Sequence, residues 1–466
     1  MENSRLLQLL RTLTKNEMSE MKKVLASPFF NHRTDVSTLY DYLLKYLKNG
    51  KPVPAKEEVF PVVFPKEKYD DHRLRLCMSL LYQLTCQYLT YTEFLNDEVA
   101  AQMRLSSLFR KRNLHTHFDT AWKNLSEKHE RNTLRNAAYF QRKYQFSLEK
   151  YRSDYNLKNV DRTFLQDLSN QLDVGFLIQK LAHSCFLISH QAVSNASYDF
   201  GLLEKMLSYI EETDVLDIPA IAIYYNCYKA LTNPAEQRYF QKFRELALLH
   251  DALFLPEELR DLYILAINFC IRQYNEGNSE YLPFQFQFYK DGLEKGYFLT
   301  AGWLSRYTYQ NVVTIGLVTE EFDWVERFIH EYRERLQEPY RESVFSFNLA
   351  RLEYQRRHFG KALDMLQKAE YKDLLLNLAA KTLQMKIFYE NQEYDLLDSH
   401  LQAFKIFIRR KNALGYHREN YLNTIYLTRK LLEINPFDKK EKAALKKEIE
   451  ETKGVGDKDW LLAQLS

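Results

Sequence analysis

The sequence predicts an all-α protein in which helical hairpins stack into an α-solenoid between a helical N-terminal domain and a helical C-terminal cap. Three observations support this fold class. Glycine (12) and proline (11) are scarce in the 466 residues, since average usage would give roughly 33 and 23. Tyrosine (33) and phenylalanine (30) are abundant, which suits large contacts between helices. Similar strings recur through the second half of the chain at intervals typical of helical repeats.

The composition is that of a chain able to bury a core. Hydrophobic residues make up 45% and charged residues 27%, which argues against disorder. The net charge of +3 is too small to imply a nucleic-acid partner by itself. No CxxC pair occurs, and the odd number of cysteines disfavours a disulfide framework or a zinc site. The five cysteines are Cys77, Cys86, Cys185, Cys227 and Cys270.

Targeting and membrane segments are not expected. The N-terminus has no long apolar run, so we predict no signal peptide. The most apolar stretch, 174–189, is interrupted by Lys180 and His183 and is too short to span a bilayer. We therefore expect a cytoplasmic protein that does not contact a membrane.

Residues 1–100 form the predicted N-terminal helical domain. Thr14 and Glu17 have the spacing of a capping box, which starts a helix, and Pro28 should end that helix. Asp35 is placed to cap a second helix, which the Asn-Gly pair 49–50 closes. A Pro-rich connector, 51–65, comes next. Asp70 or Asp71 is then placed to cap a long helix.

Residues 101–175 form a predicted segment of long, charged helices in which basic residues outnumber acidic ones. Its aromatic residues admit two interpretations. Tyr139, Phe140, Tyr144 and Phe146 could stack on the bases of a nucleic acid. Helical spacing favours the other interpretation, because Phe140 and Tyr144 share one face and can pack in a core.

Residues 176–435 carry the repeat. The strings NCYKAL, NFCIRQY, NVVTIGL and NLARLEY begin at Asn226, Asn268, Asn311 and Asn348 and are 42, 43 and 37 residues apart. A second apolar helix follows each string, and the clearest of these begin at Phe322, Phe359 and Tyr394. A helix pair repeated at this period is the sequence pattern of an α-solenoid. A weaker pair begins near Ser184.

The stretch 347–369 resembles the tetratricopeptide repeat family. Its first helix matches at Asn348, Leu349 and Ala350, and its second helix matches at Phe359, Ala362 and Ala369. The resemblance extends from about 305 to 405, and from 180 to 300 it holds for topology alone. It implies that the first helices line a concave face that binds a partner.

The resemblance places eleven residues on that concave face. They are Tyr225, Lys229, Asn268, Tyr274, Gln310, Asn311, Asn348, Arg351, Tyr354, Lys386 and Tyr389. Two questions stay open at this point. The recurrent asparagines could bond a bound peptide backbone or a neighbouring helix, and the tyrosines could contact a ligand or pack between helices.

Residues 436–466 are expected to end the array as capping helices. Asp438 is placed to cap a strongly charged helix, and the final WLLAQL offers a short apolar face. Covering the last repeat is the first interpretation of this region. A partner-binding tail is the alternative.

The segment 13–90 also resembles, more weakly, the winged-helix domain of bacterial response-regulator-type activators. The matching residues are Leu13, Thr14, Glu17, Glu57, Glu58, Phe64, Pro65, Leu74, Arg75, Ser79 and Leu81. This resemblance implies DNA binding through the N-terminal domain, with support from the basic segment. The residues that would contact nucleic acid are Arg73, Arg75, Arg110, Lys111, Arg112, Arg142 and Lys143.

No motif for catalysis occurs. The patterns GxxxxGK[ST], HExxH and GxSxG are absent from the sequence. His115 and His117, two residues apart, would point in different directions on a helix, which disfavours a metal site. The leading hypothesis is a non-enzymatic interaction scaffold or adaptor that needs no cofactor and binds a protein or peptide. A transcriptional regulator or other nucleic-acid-binding protein is the alternative, and the oligomeric state is left open.

Overall fold

The structure, a computed structural model, confirms the all-α prediction. It describes residues 1, 3–49, 51–153, 162–194, 196–410, 417–435 and 437–465. Within these residues it contains 23 α-helices, four short 3₁₀ turns and one pair of two-residue strands. The scarcity of glycine and proline explains this composition, because few positions interrupt a helix.

The chain divides into two compact units, Met1–Phe176 and Leu177–Ser466. The predicted segments 1–100 and 101–175 both lie in the first unit. The repeat region from 177 onward and the C-terminal segment 436–466 lie in the second unit.

The first unit contains eight helices and the start of a ninth. They are α1 Arg5–Leu10, α2 Lys15–Ala26, α3 Thr34–Leu47, α4 Lys56–Val63, α5 Asp71–Asn96, α6 Glu98–Lys111, α7 His115–Arg131 and α8 Ala137–Ser153. The ninth helix, α9 Arg162–Val193, continues into the second unit. The predicted basic segment lies in the long helices α6, α7 and α8 of this unit and in the start of α9.

Local signals set several boundaries in the first unit. The capping box is confirmed, because Thr14 Oγ1 accepts from the Glu17 amide at 3.2 Å and the Glu17 carboxylate accepts from the Thr14 amide at 2.6 Å. Helix α2 ends before the extended Ser27, as Pro28 requires. Asp70 caps α5 through the amide of Arg73 at 3.2 Å.

Two N-terminal predictions are wrong. Asp35 does not cap α3; it lies in the first turn of that helix, where it pairs with Arg33. The predicted connector 51–65 contains the helix α4, despite Pro61 within it. Val59 and Phe60 of this helix are buried in the N-terminal core, so tertiary packing outweighs the cost of the internal proline.

The N-terminal core is formed mainly by residues of α1 to α5. Its fully buried members include Leu7, Met21, Val36, Leu39, Leu43, Val59, Leu74, Cys77 and Leu81. The described residues of 1–100 contain no strand. The wing of a winged-helix domain, which is a β-hairpin, is therefore not formed there.

The second unit continues as a series of helix pairs. After α9 come α10 Leu203–Glu212, α11 Pro219–Thr232, α12 Gln237–Leu249, α13 Pro256–Asn275, α14 Leu282–Glu294, α15 Arg306–Val318, α16 Phe322–Glu331, α17 Glu338–Gln355, α18 Phe359–Lys368, α19 Leu374–Glu390, α20 Tyr394–Arg410, α21 His417–Glu433, α22 Lys439–Glu451 and α23 Lys458–Ala463. The 3₁₀ turns are Asp214–Asp217, Asp251–Leu253, Ser279–Tyr281 and Arg333–Arg335.

The predicted second helices are confirmed. Helices α16, α18 and α20 begin at Phe322, Phe359 and Tyr394, the three aromatic residues expected to start them. The first helices α15, α17 and α19 are neighbours in space. Asp438 caps α22 through the amide of Lys440 at 2.7 Å, as expected. Pro436 lies outside the described residues.

Four successive hairpins, from α13 to α20, turn with the same backbone hydrogen bonds. The residue at the turn has a positive φ in each case: Gly277, Glu320, Arg357 and Gln392. The next amide donates to the carbonyl five residues earlier at 2.8 to 2.9 Å. This is the Schellman motif, which satisfies the last carbonyls of a helix. One turn geometry is therefore repeated although the sequence spacing varies.

Two close contacts shape the middle of the second unit. The strands β1 Leu299–Thr300 and β2 Trp303–Leu304 form a small hairpin that the sequence analysis did not predict. Gly316 on α15 faces Val325 on α16, and a Cβ added there would lie 2.4 Å from Cγ2 of Val325. Glycine is thus what allows these two helices to approach each other.

Helix α9 is longer than the apolar stretch on which the expectation of no membrane span rested. By length and composition alone, Thr163–Ala192 could cross a bilayer. Core helices pass the same test, and Leu181 and Cys185 on this helix are fully buried against protein. Within the described residues it is the one helix that meets this criterion.

Candidate functional site

An open cleft lies across the first helices of three successive hairpins, α15, α17 and α19. Its volume is about 350 Å³. Tyr421 of α21 and Asp457, just before α23, complete its rim. The lining residues are Thr314, Leu317, Val318, Phe347, Arg351, Tyr354, Gln355, Ala379, Thr382, Leu383, Lys386, Tyr421 and Asp457. Three of the predicted concave residues therefore come together here: Arg351, Tyr354 and Lys386.

The floor of the cleft is apolar. Leu317, Phe347 and Leu383 are almost buried, whereas Val318 is 46% exposed. An exposed aliphatic side chain beside buried ones offers a surface that a ligand can cover with a gain in free energy. The cleft can therefore bind an apolar side chain.

Arg351 is the cation at the centre of the cleft. It donates to Thr314 Oγ1 at 3.0 Å and to Asn348 Oδ1 at 3.3 Å. The side chain is partly exposed at the cleft, but protein surrounds the guanidinium closely. Removal from water lowers the pKa of Arg351 to about 10, so the group stays charged at neutral pH.

Lys386 and Glu390, one turn apart on α19, hold the segment that precedes and begins α23. Lys386 forms an ion pair with Asp457. The Glu390 carboxylate accepts from Trp460 Nε1 at 2.8 Å and from Tyr354 Oη, and it pairs with Arg357 at 2.6 Å. Burial raises the pKa of Tyr354 above its usual range, so this phenol is a hydrogen-bond donor at any ordinary pH.

Other predicted concave residues lie away from the cleft. Tyr225 is 7% exposed, and its hydroxyl donates to Glu211 at 2.7 Å. Lys229 pairs with the same carboxylate at 2.7 Å. Tyr274 is 44% exposed, but it is not part of the cleft lining. The residues predicted from the earlier, more divergent repeats therefore do not join the cleft.

The recurrent asparagines mainly serve the fold. Asn348 is fully buried, and its amide donates to the carbonyl of residue 344 at 2.8 Å. Asn226 makes the same bond four residues back, also at 2.8 Å. Asn268 reaches Ser189 on α9 at 3.4 Å. These contacts favour the helix-bonding interpretation over a bond to a peptide backbone.

The remaining predicted positions differ in their exposure and packing. Asn311 is exposed on α15, and Gln310 beside it is half-buried. Tyr389 packs edge-on against Trp460, with ring centroids 5.5 Å apart. Tyr389 is therefore a packing residue.

No family model, curated protein or solved structure matches this chain. The interpretation of the cleft therefore rests on its geometry and chemistry.

Three residues important to the cleft were not predicted from the sequence. Glu390, Asp457 and Trp460 make the contacts that close one end of it. Asp457 has a left-handed backbone, with φ at 51°, and its side chain does not cap its own helix. A carboxylate that precedes a helix normally predicts a helix cap. The local sequence therefore did not indicate that Asp457 pairs with Lys386.

The residues proposed for nucleic-acid contact are mostly engaged within the first unit. The ion pairs are Arg73 with Glu67, Arg75 with Asp71 at 2.6 Å, Arg110 with Glu149 at 2.8 Å, Arg142 with Asp97 at 2.7 Å and Lys143 with Glu130 at 3.2 Å. Lys111 and Arg112 are exposed at the end of α6. Five of the seven candidate cations are thus paired with nearby carboxylates.

Groups suited to metal binding are not assembled in the described part of the chain. No cluster of three His, Cys, Asp or Glu side chains with metal-binding geometry occurs there. Burial raises the pKa of the Cys185 thiol far above its ordinary value and that of Cys270 to about 12. These thiols therefore stay protonated and unreactive.

Proposed function

We propose that this chain is a non-enzymatic interaction scaffold whose cleft between α15, α17 and α19 binds a peptide or helix of a partner protein. The observation that supports this proposal is the combination of an apolar floor with fixed hydrogen-bonding groups along one open surface. Arg351 and Gln355 stand one turn apart on α17, next to the exposed Val318.

The chemistry of this surface suits peptide recognition. An apolar side chain on the floor would supply binding free energy in proportion to the area covered. Directional donors beside it would fix the register of the segment. Because α17 and α19 hold these groups on rigid helices, little ordering would be needed when the partner binds.

The nucleic-acid alternative has weaker support. Five of its seven candidate side chains are in ion pairs with carboxylates of the same unit. Binding a phosphate backbone would require breaking or sharing those pairs. The wing that would support a recognition helix is not formed in the described residues.

The test uses peptides selected on the intact protein. A phage library displaying random 12-residue peptides is selected on the full-length chain, and the enriched peptides are measured by fluorescence polarisation. Val318→Glu places a charge on the exposed floor and should weaken binding at least tenfold. Leu396→Glu is the matched control, because Leu396 is similarly exposed, at 55%, on the second helix α20. Equal binding to Val318→Glu and to the wild type would reject the cleft as the site.

A further inference from the structure

Two cations line the cleft, Lys386 and Arg351. Lys386 pairs with the carboxylate of Asp457. Arg351 differs from Lys386. In the described part of the chain it forms no ion pair, and its hydrogen bonds go to the neutral oxygens of Thr314 and Asn348.

This arrangement leaves a guanidinium short of partners. A cation removed from water is costly unless an opposite charge compensates it. Arginine carries five N–H donors in a planar fork, and two of them are used by Thr314 and Asn348. The side chain is partly exposed and lines the cleft, so a ligand bound in the cleft can contact it.

We infer that the cleft recognises a partner peptide through an Asp or Glu side chain that pairs with Arg351 while an adjacent apolar side chain covers Val318. This inference rests on the proposed function and specifies the partner. A carboxylate matches the arginine fork in shape. It would supply the charge that Thr314 and Asn348 cannot.

Charge balance favours a carboxylate over a phosphorylated residue. The cleft is lined by two cations, Arg351 and Lys386, and by one carboxylate, Asp457, which pairs with Lys386 and also attracts Arg351. The lining therefore carries one excess positive charge. A carboxylate supplies one negative charge, whereas a phosphoryl group carries about −1.5 to −2 at pH 7. The dianion would leave negative charge facing Asp457 at the rim.

The probes are the selected 12-residue peptides, made with an amidated C-terminus so that no terminal carboxylate is present. Each peptide is prepared with its acidic residue intact, replaced by the corresponding amide, and replaced by phosphoserine. Fluorescence polarisation then measures the three affinities for the full-length chain. We expect the amide form to bind about tenfold to a hundredfold more weakly than the acidic form. The phosphoserine form should bind no more tightly than the acidic form.

Variants of the protein locate the contact. Arg351→Gln should bind the acidic peptide more weakly than the wild type does, by the same factor as the amide substitution. This variant should bind the acidic and amide forms with equal affinity. Lys361→Gln, an exposed position on the outer helix α18, removes one positive charge elsewhere and should leave all affinities unchanged. Circular dichroism of each variant checks that the helices are retained.

The possible results distinguish a failure of the carboxylate inference from a failure of the proposed function. If the acidic and amide peptides bind the wild type equally, or if phosphoserine binds more than tenfold tighter, the carboxylate inference is wrong. Continued sensitivity to Val318→Glu would then still support the cleft as the site. If the peptides bind Val318→Glu normally, or if none binds the wild type below about 100 µM, the function and the inference both fail.

Discussion

The contact between Gly316 and Val325 gives the sharpest test of how the hairpins pack. An added Cβ at Gly316 would meet Cγ2 of Val325 at 2.4 Å, more than 1 Å closer than ordinary contact. Val325 is fully buried, and its β-branched side chain has little freedom to rotate away. Overpacking of this kind costs about 3 kcal/mol, against a helix-propensity gain of about 1 kcal/mol. Gly316→Ala should therefore destabilise the protein by about 2 kcal/mol.

A second substitution should rescue the first. Val325→Ala alone removes two buried methyl groups and should cost about 2 kcal/mol. In the double variant the new methyl of residue 316 occupies the vacated space, so the total loss should be about 1 kcal/mol or less. The two substitutions are thus expected to be strongly non-additive.

Unfolding of the full-length variants in urea, followed by circular dichroism, measures these differences. Hydrogen exchange of peptides from α15 and α16 gives the local effect. Gly360→Ala is the control, because a Cβ there meets nothing within 4 Å, and it should stabilise the protein by about 0.5–1 kcal/mol. If the losses from Gly316→Ala and Val325→Ala simply add, the steric argument is refuted.

Two further predictions concern a buried histidine and a turn. Burial lowers the pKa of His129 to about 4, whereas a histidine in the unfolded chain has a pKa of about 6.5. The charge of Glu130 opposes this shift, and the charges of Lys143, Arg135 and Arg142 add to it. The unfolded state therefore binds the extra proton, and about 3 kcal/mol of stability is lost as pH falls from 6.5 to 4. His129→Phe should remove this loss in urea titrations across that range, whereas exposed His115→Gln should not. Glu320, at the α15–α16 turn, has a φ of 61°, a backbone conformation that glycine adopts without strain. Glu320→Gly should therefore stabilise the protein by about 0.5–1 kcal/mol and raise its Tm. Glu320→Ala keeps the strained backbone and should not raise the Tm. A pH dependence unchanged by His129→Phe, or equal Tm values for the two Glu320 variants, would contradict these assignments.

Local sequence rules succeed where a boundary depends on neighbouring residues. The capping box at Thr14 and Glu17 and the cap at Asp438 form as predicted. Helices α16 and α18 begin at the predicted aromatic residues Phe322 and Phe359. Each of these features requires contacts between residues two to five positions apart, which the sequence displays directly.

The same rules fail where distant packing outweighs local preference. Pro61 predicted a connector, but burial of Phe60 in the N-terminal core holds α4 as a helix. Tyr225 matched the concave position by repeat phasing, and Glu211 instead holds it in a buried pair.

The sequence by itself determined that this chain is all-α, that helix pairs repeat through its second half, and where the clearest second helices begin. Only the tertiary structure decided which polar groups meet. Lys386 lies 71 residues from Asp457, and Glu390 lies 70 residues from Trp460, so no helical period relates them. Helical periodicity specifies which face of each helix is buried, whereas the pairing of charges depends on how separate helices pack together. That packing pairs Lys386 with a carboxylate and leaves Arg351 without an ion pair among the described residues.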